Sequence, residues 1–319
     1  MLIYILKRLI QLVPVLLIVS VIVFSLIHLI PGDPVDVMMG EGYSDPVAEK
    51  ILRAQMHLDK PIPIQYAYWI GNVLKGDFGK SAITRQPIID MILARFPATI
   101  LLALSAALVA IVISIPAGII AAVRRNTIAD YFAMGISLGG ISIPNFWLGV
   151  MLILVFSQFL ELLPSMGYMP FFTSPWEAIR HLIMPAITLG TAMAASLTRF
   201  TRSEVLEELR QDYVRTARAK GVTGRLVVMK HVLKNSLIPT ITVVGLQIGG
   251  LLEGAVITET VFAWPGIGRL AIQAVFERDY PLVQGIVLVA AVVYVLINLL
   301  VDIIYTLLDP RIKLSKQGV

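Results

Sequence analysis

Six apolar runs separated by polar segments constrain this chain more than any other feature of it. They fall at 9–30, 99–123, 132–159, 182–198, 237–262 and 282–308. A helix needs about 20 apolar residues to cross the hydrocarbon core of a bilayer, and the runs are of that order. Composition points the same way. The chain is 57% hydrophobic and 15% charged, with a mean hydropathy of +0.82, whereas soluble domains hold about 45–50% apolar and about 25% charged residues. The expectation is an all-α membrane protein with six transmembrane helices.

Charge then sets the topology. Lys7 and Arg8 precede the first run, which superficially looks like a signal peptide. It is too long for one and lacks a small-x-small cleavage site, so it reads as an uncleaved first span with its amino end in the cytoplasm. Arg124 and Arg125 follow the second run. Nine cations against four acids occupy 199–236, and Arg311, Lys313 and Lys316 close the chain. The segments 160–181, with Arg180 as its one strong cation, and 263–281 are outer loops. Six spans with both termini cytoplasmic then satisfy the positive-inside bias at every short loop. The polar segment 31–98 is long enough to escape that count, and its seven basic residues are balanced by eight acids. Within it Asp45-Pro46 suits a helix start, and Pro61 and Pro63 break the chain before a helical run at 64–75. Pro116 and Pro144 lie inside the second and third spans, where neighbouring groups can satisfy the freed carbonyls.

Several function classes drop out. The net charge of +5 follows from the positive-inside bias, so nucleic acid need not be invoked. With no cysteine there is no disulfide framework and no thiolate metal site. Gly79-Lys80-Ser81 mimics the end of a P-loop, but Leu74 stands where the first glycine is required. The chain is not expected to bind ATP by that route. Gly135-Ile136-Ser137-Leu138-Gly139 fits a serine-nucleophile pattern. His28 and His181 are expected at the far ends of their spans, and His231 lies in the basic segment, so no base is within reach. Small residues allowing close helix packing is the better reading. No H-E-x-x-H is present, and neither a catalytic nor a metal-binding residue is expected.

The basic segment 199–239 has helical periodicity, with Leu206, Leu209, Tyr213 and Ala217 on one face. Gly221 after Lys220 reads as a helix end whose next residue turns left-handed. A second amphipathic run places Leu226, Met229, Leu233 and Leu237 on one side. Two short helices with a glycine elbow suit a docking surface for another protein, or equally an ordinary solvated loop carrying topology-setting charge. In the fifth span, Gly245 and Gly249 are four apart, as are Gly250 and Gly254, giving two faces for close helix contact. Glu253 sits near the middle of that span with Gln247 about two turns before it. A carboxylate there must face a polar cavity or a partner, so Gln247 and Glu253 are candidates for a translocation pathway, or Glu253 for a bond to a neighbouring subunit. Glu259 reads as interfacial, and Asn298 and Asp302 as packing or anchoring groups.

The run DYVRTARAKG at 212–221 resembles the cytoplasmic signature loop of ABC importer permeases, in the form of the dipeptide/oligopeptide/nickel subfamily. Against the general pattern (EAA, three residues, Gly, nine residues, Ile-x-Leu-Pro), Ala217, Gly221 and Leu233 are kept. Arg215, Thr216, His231 and Lys234 depart from it. IPGDP at 30–34, GDFGKS at 76–81, IMPAITLG at 183–190, TETVFAWPGIGRL at 258–270, RDYPLVQG at 278–285 and NLLVDIIYTLLDPRI at 298–312 extend the resemblance over nearly the whole chain.

The resemblance implies the type I ABC importer permease fold, with an external helical insert between helices 1 and 2. The chain would divide into a first transmembrane helix (1–31), the external insert (32–98), a permease domain (99–308) with a coupling loop (199–236), and a cytoplasmic tail (309–319). It would be a non-catalytic, multi-pass subunit of a bacterial or archaeal cytoplasmic membrane. Its partners would be a second homologous permease, two ABC ATPase subunits and an extracytoplasmic peptide-binding protein. It would bind no cofactor itself, ATP and Mg being used by the ATPases. Asp212, Tyr213, Ala217, Ala219 and Gly221 would form the coupling element, with Arg218 and Lys220 pairing with ATPase acids. The cargo would be di- or oligopeptides, with nickel-chelate or glutathione as alternatives. An ATP-independent secondary transporter is the competing class, but no inverted repeat or paired broken helices support it.

Overall fold

The computed structural model describes residues 2–29, 53 and 58–308. The motif at 30–34, the Asp45-Pro46 helix start, and Arg311, Lys313 and Lys316 lie outside the described residues, as do the side chains of Lys7, Arg8 and Asp302. The elements in order are α1 (Leu2–Leu29), α2 (Ile62–Leu74), α3 (Ile88–Val123), α4 (Ile128–Ser142) and α5 (Asn145–Leu152, continued by a π-helical stretch Ile153–Phe159). They continue as α6 (Pro175–Glu208), α7 (Asp212–Ala219), α8 (Gly224–Val227, continued by a π-helical stretch Val228–Val232), α9 (Leu233–Val261), α10 (Ile267–Phe276) and α11 (Tyr280–Leu308). The one strand-like pairing among the described residues is an isolated bridge between Lys80 and Pro87.

Each of the six apolar runs is helical over most of its described residues. Among the described residues, four stretches are long and apolar enough to cross a bilayer alone: α3, α6, Gly224–Val261 and Tyr280–Val301. α4 and α5 make a fifth when counted together, and α1 adds 28 residues, apolar over Ile10–Ser25. α3 starts well inside the polar insert of the sequence reading, and its 36 residues span about 54 Å. α6 overruns 182–198 at both ends, so the first part of the basic segment is a membrane helix continued.

The third span is not one straight helix. α4 and α5 meet at 105°. Pro144 has no N–H to give α4 and pushes Ile143 before it into an extended conformation, φ −79 and ψ 123. Its carbonyl instead accepts from Leu148 N at 3.1 Å and opens α5.

Two compact units are evident, one of residues 1–97 with 269–296 and the other of 98–268 with 297–319. In the first, Gln284 of α11 donates to the Val23 carbonyl of α1 at 3.0 Å, and Ser20 meets the Tyr66 hydroxyl of α2 at 2.8 Å. Phe24 stacks with Tyr66 and Trp69. Asp279 caps α11 through Leu282 N at 3.3 Å. It also holds the GDFGKS turn, accepting from the Ser81 hydroxyl and from Ala82 N at 3.0 Å. That buried structural role accounts for the serine of the P-loop mimic.

In the second unit α6 is the central helix, packed by α4, α5 and α9. Leu102, Ala106 and Ala110 of α3, Leu189, Met193 and Leu197 of α6, and Val244, Leu251 and Ala255 of α9 form one buried cluster closed by Trp264. Size is sorted by face on α3. Ala103, Ala107 and Ser114 are buried while Leu104, Leu108 and Val112 are exposed. Small residues inward and large apolar ones outward is the arrangement lipid permits, because helices gain by close backbone approach rather than by burying leucine. A Cβ on Gly190 would stand 2.6 Å from the Ala106 carbonyl oxygen, so α3 and α6 touch backbone to backbone.

Candidate functional site

The basic segment folds onto the ends of the long helices through a cluster of its own. Ala122, Val205, Val214, Val227 and Val232 are buried together, with Leu206, Leu209, Ala217, Val222 and Leu233 packed around them. α7 ends as the sequence leads one to expect. Gly221 has φ +80, its N–H reaches the Arg218 carbonyl at 2.9 Å, and Val222 N reaches that of Ala217 at 3.2 Å. This is the paired 5→2 and 6→1 bonding of a Schellman cap, and Val222 and Ala217 both pack against the buried cluster. Ala217 thus faces the cluster. Asp212, Arg218, Ala219, Lys220 and Gly221 face outward.

The second run packs by a different face from the one read in the sequence. Leu226 and Met229 are exposed, while Val227 and Val232 are fully buried. The cause is the π-helical turn at Val228–Val232. Its wider winding brings residues five apart onto one side, where an α-helix would choose residues three and four apart. Leu226 and Met229 are left on the surface among Arg225, Lys230 and Lys234.

Tyr213 joins three elements. Its hydroxyl donates to the Glu208 carboxylate at the end of α6 and accepts from Asn235 Nδ2 at 3.1 Å near the start of α9. Burial, aided by the Glu208 carboxylate, pushes the phenol above its ordinary pKa, so it stays a neutral donor. The Asp212–Arg215 pair, at 3.6 Å, is almost fully exposed and contributes little. Arg202 of α6 makes a two-pronged ion pair with buried Asp130 of α4, at 2.6 and 2.7 Å, and Asn126 N donates to the same carboxylate at 3.0 Å.

Along α9 the structure separates the two pathway candidates. Gln247 accepts from Ser196 of α6 at 2.9 Å and is half-buried. Glu253 is exposed on another face, six residues on. A Cβ on Gly245 would meet Val301 at 2.7 Å, and one on Gly254 would meet Leu189 at 2.9 Å. Gly249 is buried, whereas Gly250 is exposed with open space beyond it. The outward stripe of α9 is therefore Leu246, Gly250, Glu253 and Ile257.

The serine decoy resolves simply. Ser137 is buried and donates to the Ala133 carbonyl at 2.8 Å within its own helix. His28 bonds Gln65, and His181 bonds the Glu177 carbonyl. Glu259 corrects the sequence reading. It is wholly buried, not interfacial, and Thr99, 160 residues earlier, donates to it at 2.7 Å.

Among the described residues, long apolar helices with a short exposed helix slung between two of them define a class: a multi-span membrane protein. It resembles the MetNI methionine ABC transporter in inward-facing conformations, with a TM-score of 0.57 and 18% identity over 70% of this chain and 99% of that one. An amino acid ABC transporter solved with histidines matches with a TM-score of 0.51 and 14% identity over 70% and 94%. At those identities the likeness is one of fold. The chain belongs to the binding-protein-dependent transport system inner membrane component family, whose model matches residues 114–314, with the N-terminal model of such components matching 1–103. Among its relatives, the di/tripeptide transport system permease protein DppB of Pseudomonas aeruginosa is 46% identical, covering 98% of this chain and 99% of that one. The dipeptide transport system permease protein DppB of Escherichia coli is 42% identical over 99% and 100%. The glutathione transport system permease protein GsiC of the same species is 44% identical over 98% and 99%.

Proposed function

We propose that this chain forms one half of a peptide translocation pathway in a bacterial or archaeal cytoplasmic membrane. Its termini are cytoplasmic, and two separate ATPase subunits drive it. A second, homologous permease completes the pathway and an extracytoplasmic binding protein delivers di- or oligopeptides. The chain binds no cofactor, ATP and Mg being used by the ATPases. The observation that carries the peptide cargo is the end-to-end identity with the di/tripeptide permease. The comparable identity to the glutathione permease keeps glutathione, itself a peptide, as the second reading.

The mechanical reading starts at α7. Its exposed face and basic flank (Asp212, Arg218, Ala219, Lys220) enter a groove on an ATPase, with the cations meeting acids there. Val214 and Ala217 seat the helix on the permease, Tyr213 ties it to both α6 and α9, and the Gly221 cap fixes where the chain turns away. Closure of the ATPases then moves α6 and α9 as rigid bodies and alternates access to the pathway. Glu253 lines that pathway. A carboxylate at membrane depth costs about 2.5–3.5 kcal/mol on insertion scales, so the exposed face bearing it lines a wet cavity or meets the sister subunit.

The test is uptake by proteoliposomes holding this chain with its sister permease, ATPases and binding protein. ATP-dependent accumulation of labelled dipeptide, competed poorly by glutathione, supports the reading. Accumulation of glutathione alone selects the second. Peptide uptake without ATPase subunits overturns both.

A further inference from the structure

The one buried carboxylate at the far end of α9 has no part in the coupling scheme above, and its surroundings are unusually specific. Glu259 is fully buried. The Thr99 hydroxyl donates to its Oε1 at 2.7 Å and accepts from Ile267 N at 2.8 Å. Both capacities of that hydroxyl are thus spent, one on α9 and one on the turn that follows it. The turn is shaped around the acid. A Cβ on Gly266 would fall 2.0 Å from Glu259 Oε1, and one on Gly268 would fall 3.0 Å from Oε2 and 2.6 Å from the Val256 Cα.

Three further ties fasten the same turn. Trp264, 1% exposed, donates its indole N–H to the Ala98 carbonyl at 2.9 Å and sets its ring edge-on to Tyr168 at 4.9 Å. Gly167 N donates to the Phe262 carbonyl at 2.9 Å. Ala263 takes a left-handed φ of 52. Residues 259–268 are therefore pinned to 98–99 and 167–168 by directional bonds around a carboxylate. An apolar side chain fills such a volume without needing hydrogen-bond partners, whereas a buried carboxyl group must be given them. What the acid supplies that hydrocarbon cannot is orientation.

We propose that Glu259 is a positioning residue for transport. Through Thr99 it locks the turn after α9 onto the start of that unit's share of α3, so that α9 delivers motion from the coupling helix to this end instead of slipping against α3. This rests on the reading of α7 and α9 given above. α9 begins beside Tyr213, through Asn235, and ends at Glu259, so the two hydrogen-bonded sites lie at its opposite ends.

The experiment compares E259Q, T99V and T99S in the full reconstituted transporter, measuring peptide uptake, ATP hydrolysis stimulated by loaded binding protein, and thermal stability of the assembled complex. The expected result is that E259Q and T99V assemble and hydrolyse ATP while uptake per ATP falls about tenfold, a coupling change within the range that mutations along such networks produce. T99S, which keeps the hydroxyl, stays within about twofold of the parent on the same scale. Unchanged uptake per ATP in E259Q and T99V overturns the proposal. So does loss of uptake, ATPase and assembly in parallel, which marks a folding role alone. If the parent complex itself couples no ATP to uptake, the proposed function fails instead, and that outcome is separate from the variants' behaviour.

Discussion

Asn235, near the start of α9, donates to the hydroxyl of Tyr213 in α7 at 3.1 Å, and the same hydroxyl donates to Glu208 at the end of α6. One phenol therefore spans the short helix and both long helices that flank it. Y213F keeps the ring and its packing but removes both bonds, each worth about 1 kcal/mol. The expected outcome is normal membrane insertion with uptake per ATP reduced severalfold, read in proteoliposomes. Parent-like coupling in Y213F would show that the apolar cluster alone transmits the motion.

Gly221 offers a second handle on the same element. Its φ of +80 is one that L side chains rarely adopt, yet a Cβ there would meet nothing within 4 Å. A substitution is thus penalised by backbone strain, about 1–2 kcal/mol, and not by collision. G221V should spare membrane insertion and uncouple ATP hydrolysis from uptake, because a β-branched residue cannot hold the turn. G221N should recover most of the coupling, since asparagine tolerates the left-handed region. Equal loss in both variants would assign the effect to the missing glycine surface and not to the cap.

The six helical runs and the Gly221 cap were legible because each is a local property: apolar length in one case, a cation followed by glycine in the other. The bend at Ile143–Pro144 was not, because a proline inside a membrane helix kinks, breaks or passes unnoticed according to what satisfies the freed carbonyl, and that is tertiary. The packing face of α8 was misplaced by the π-helical turn, which changes the spacing of buried residues without any mark in composition. Glu259 was the largest miss. Its burial depends on Thr99 and on glycines that have room for a carboxylate only once the turn is formed. The signal that could have found it is the GIG at 266–268, two glycines flanking one residue directly after an acid-bearing span.

The Arg202–Asp130 pair carries a prediction about stability more than coupling. The Asp130 side chain is 3% exposed and receives two guanidinium bonds. R202Q removes the charge and leaves the carboxylate buried, a change that costs about 3 kcal/mol when such pairs are broken from one side. The apparent Tm of the detergent-purified complex should fall by several degrees. Adding D130N to R202Q should restore part of the loss, because the uncompensated charge is then gone. A double variant less stable than R202Q would mean that Asp130 acts mainly through its bond to Asn126 N–H.

Glu253 is the residue whose exposure asks most to be explained. Its stripe on α9, with Leu246, Gly250 and Ile257, is uncovered among the described residues, and Gln247 is turned aside onto Ser196. A carboxylate facing the pathway would attract the protonated amino group that a peptide carries at its N-terminus. E253Q keeps the size and removes the charge, so uptake of a free dipeptide should weaken while that of its N-acetylated analogue changes little. Transport assays with the two substrates in parallel make the comparison. Equal loss for both would place Glu253 against the sister permease, where the charge serves assembly. An unchanged profile for both would remove it from the pathway altogether.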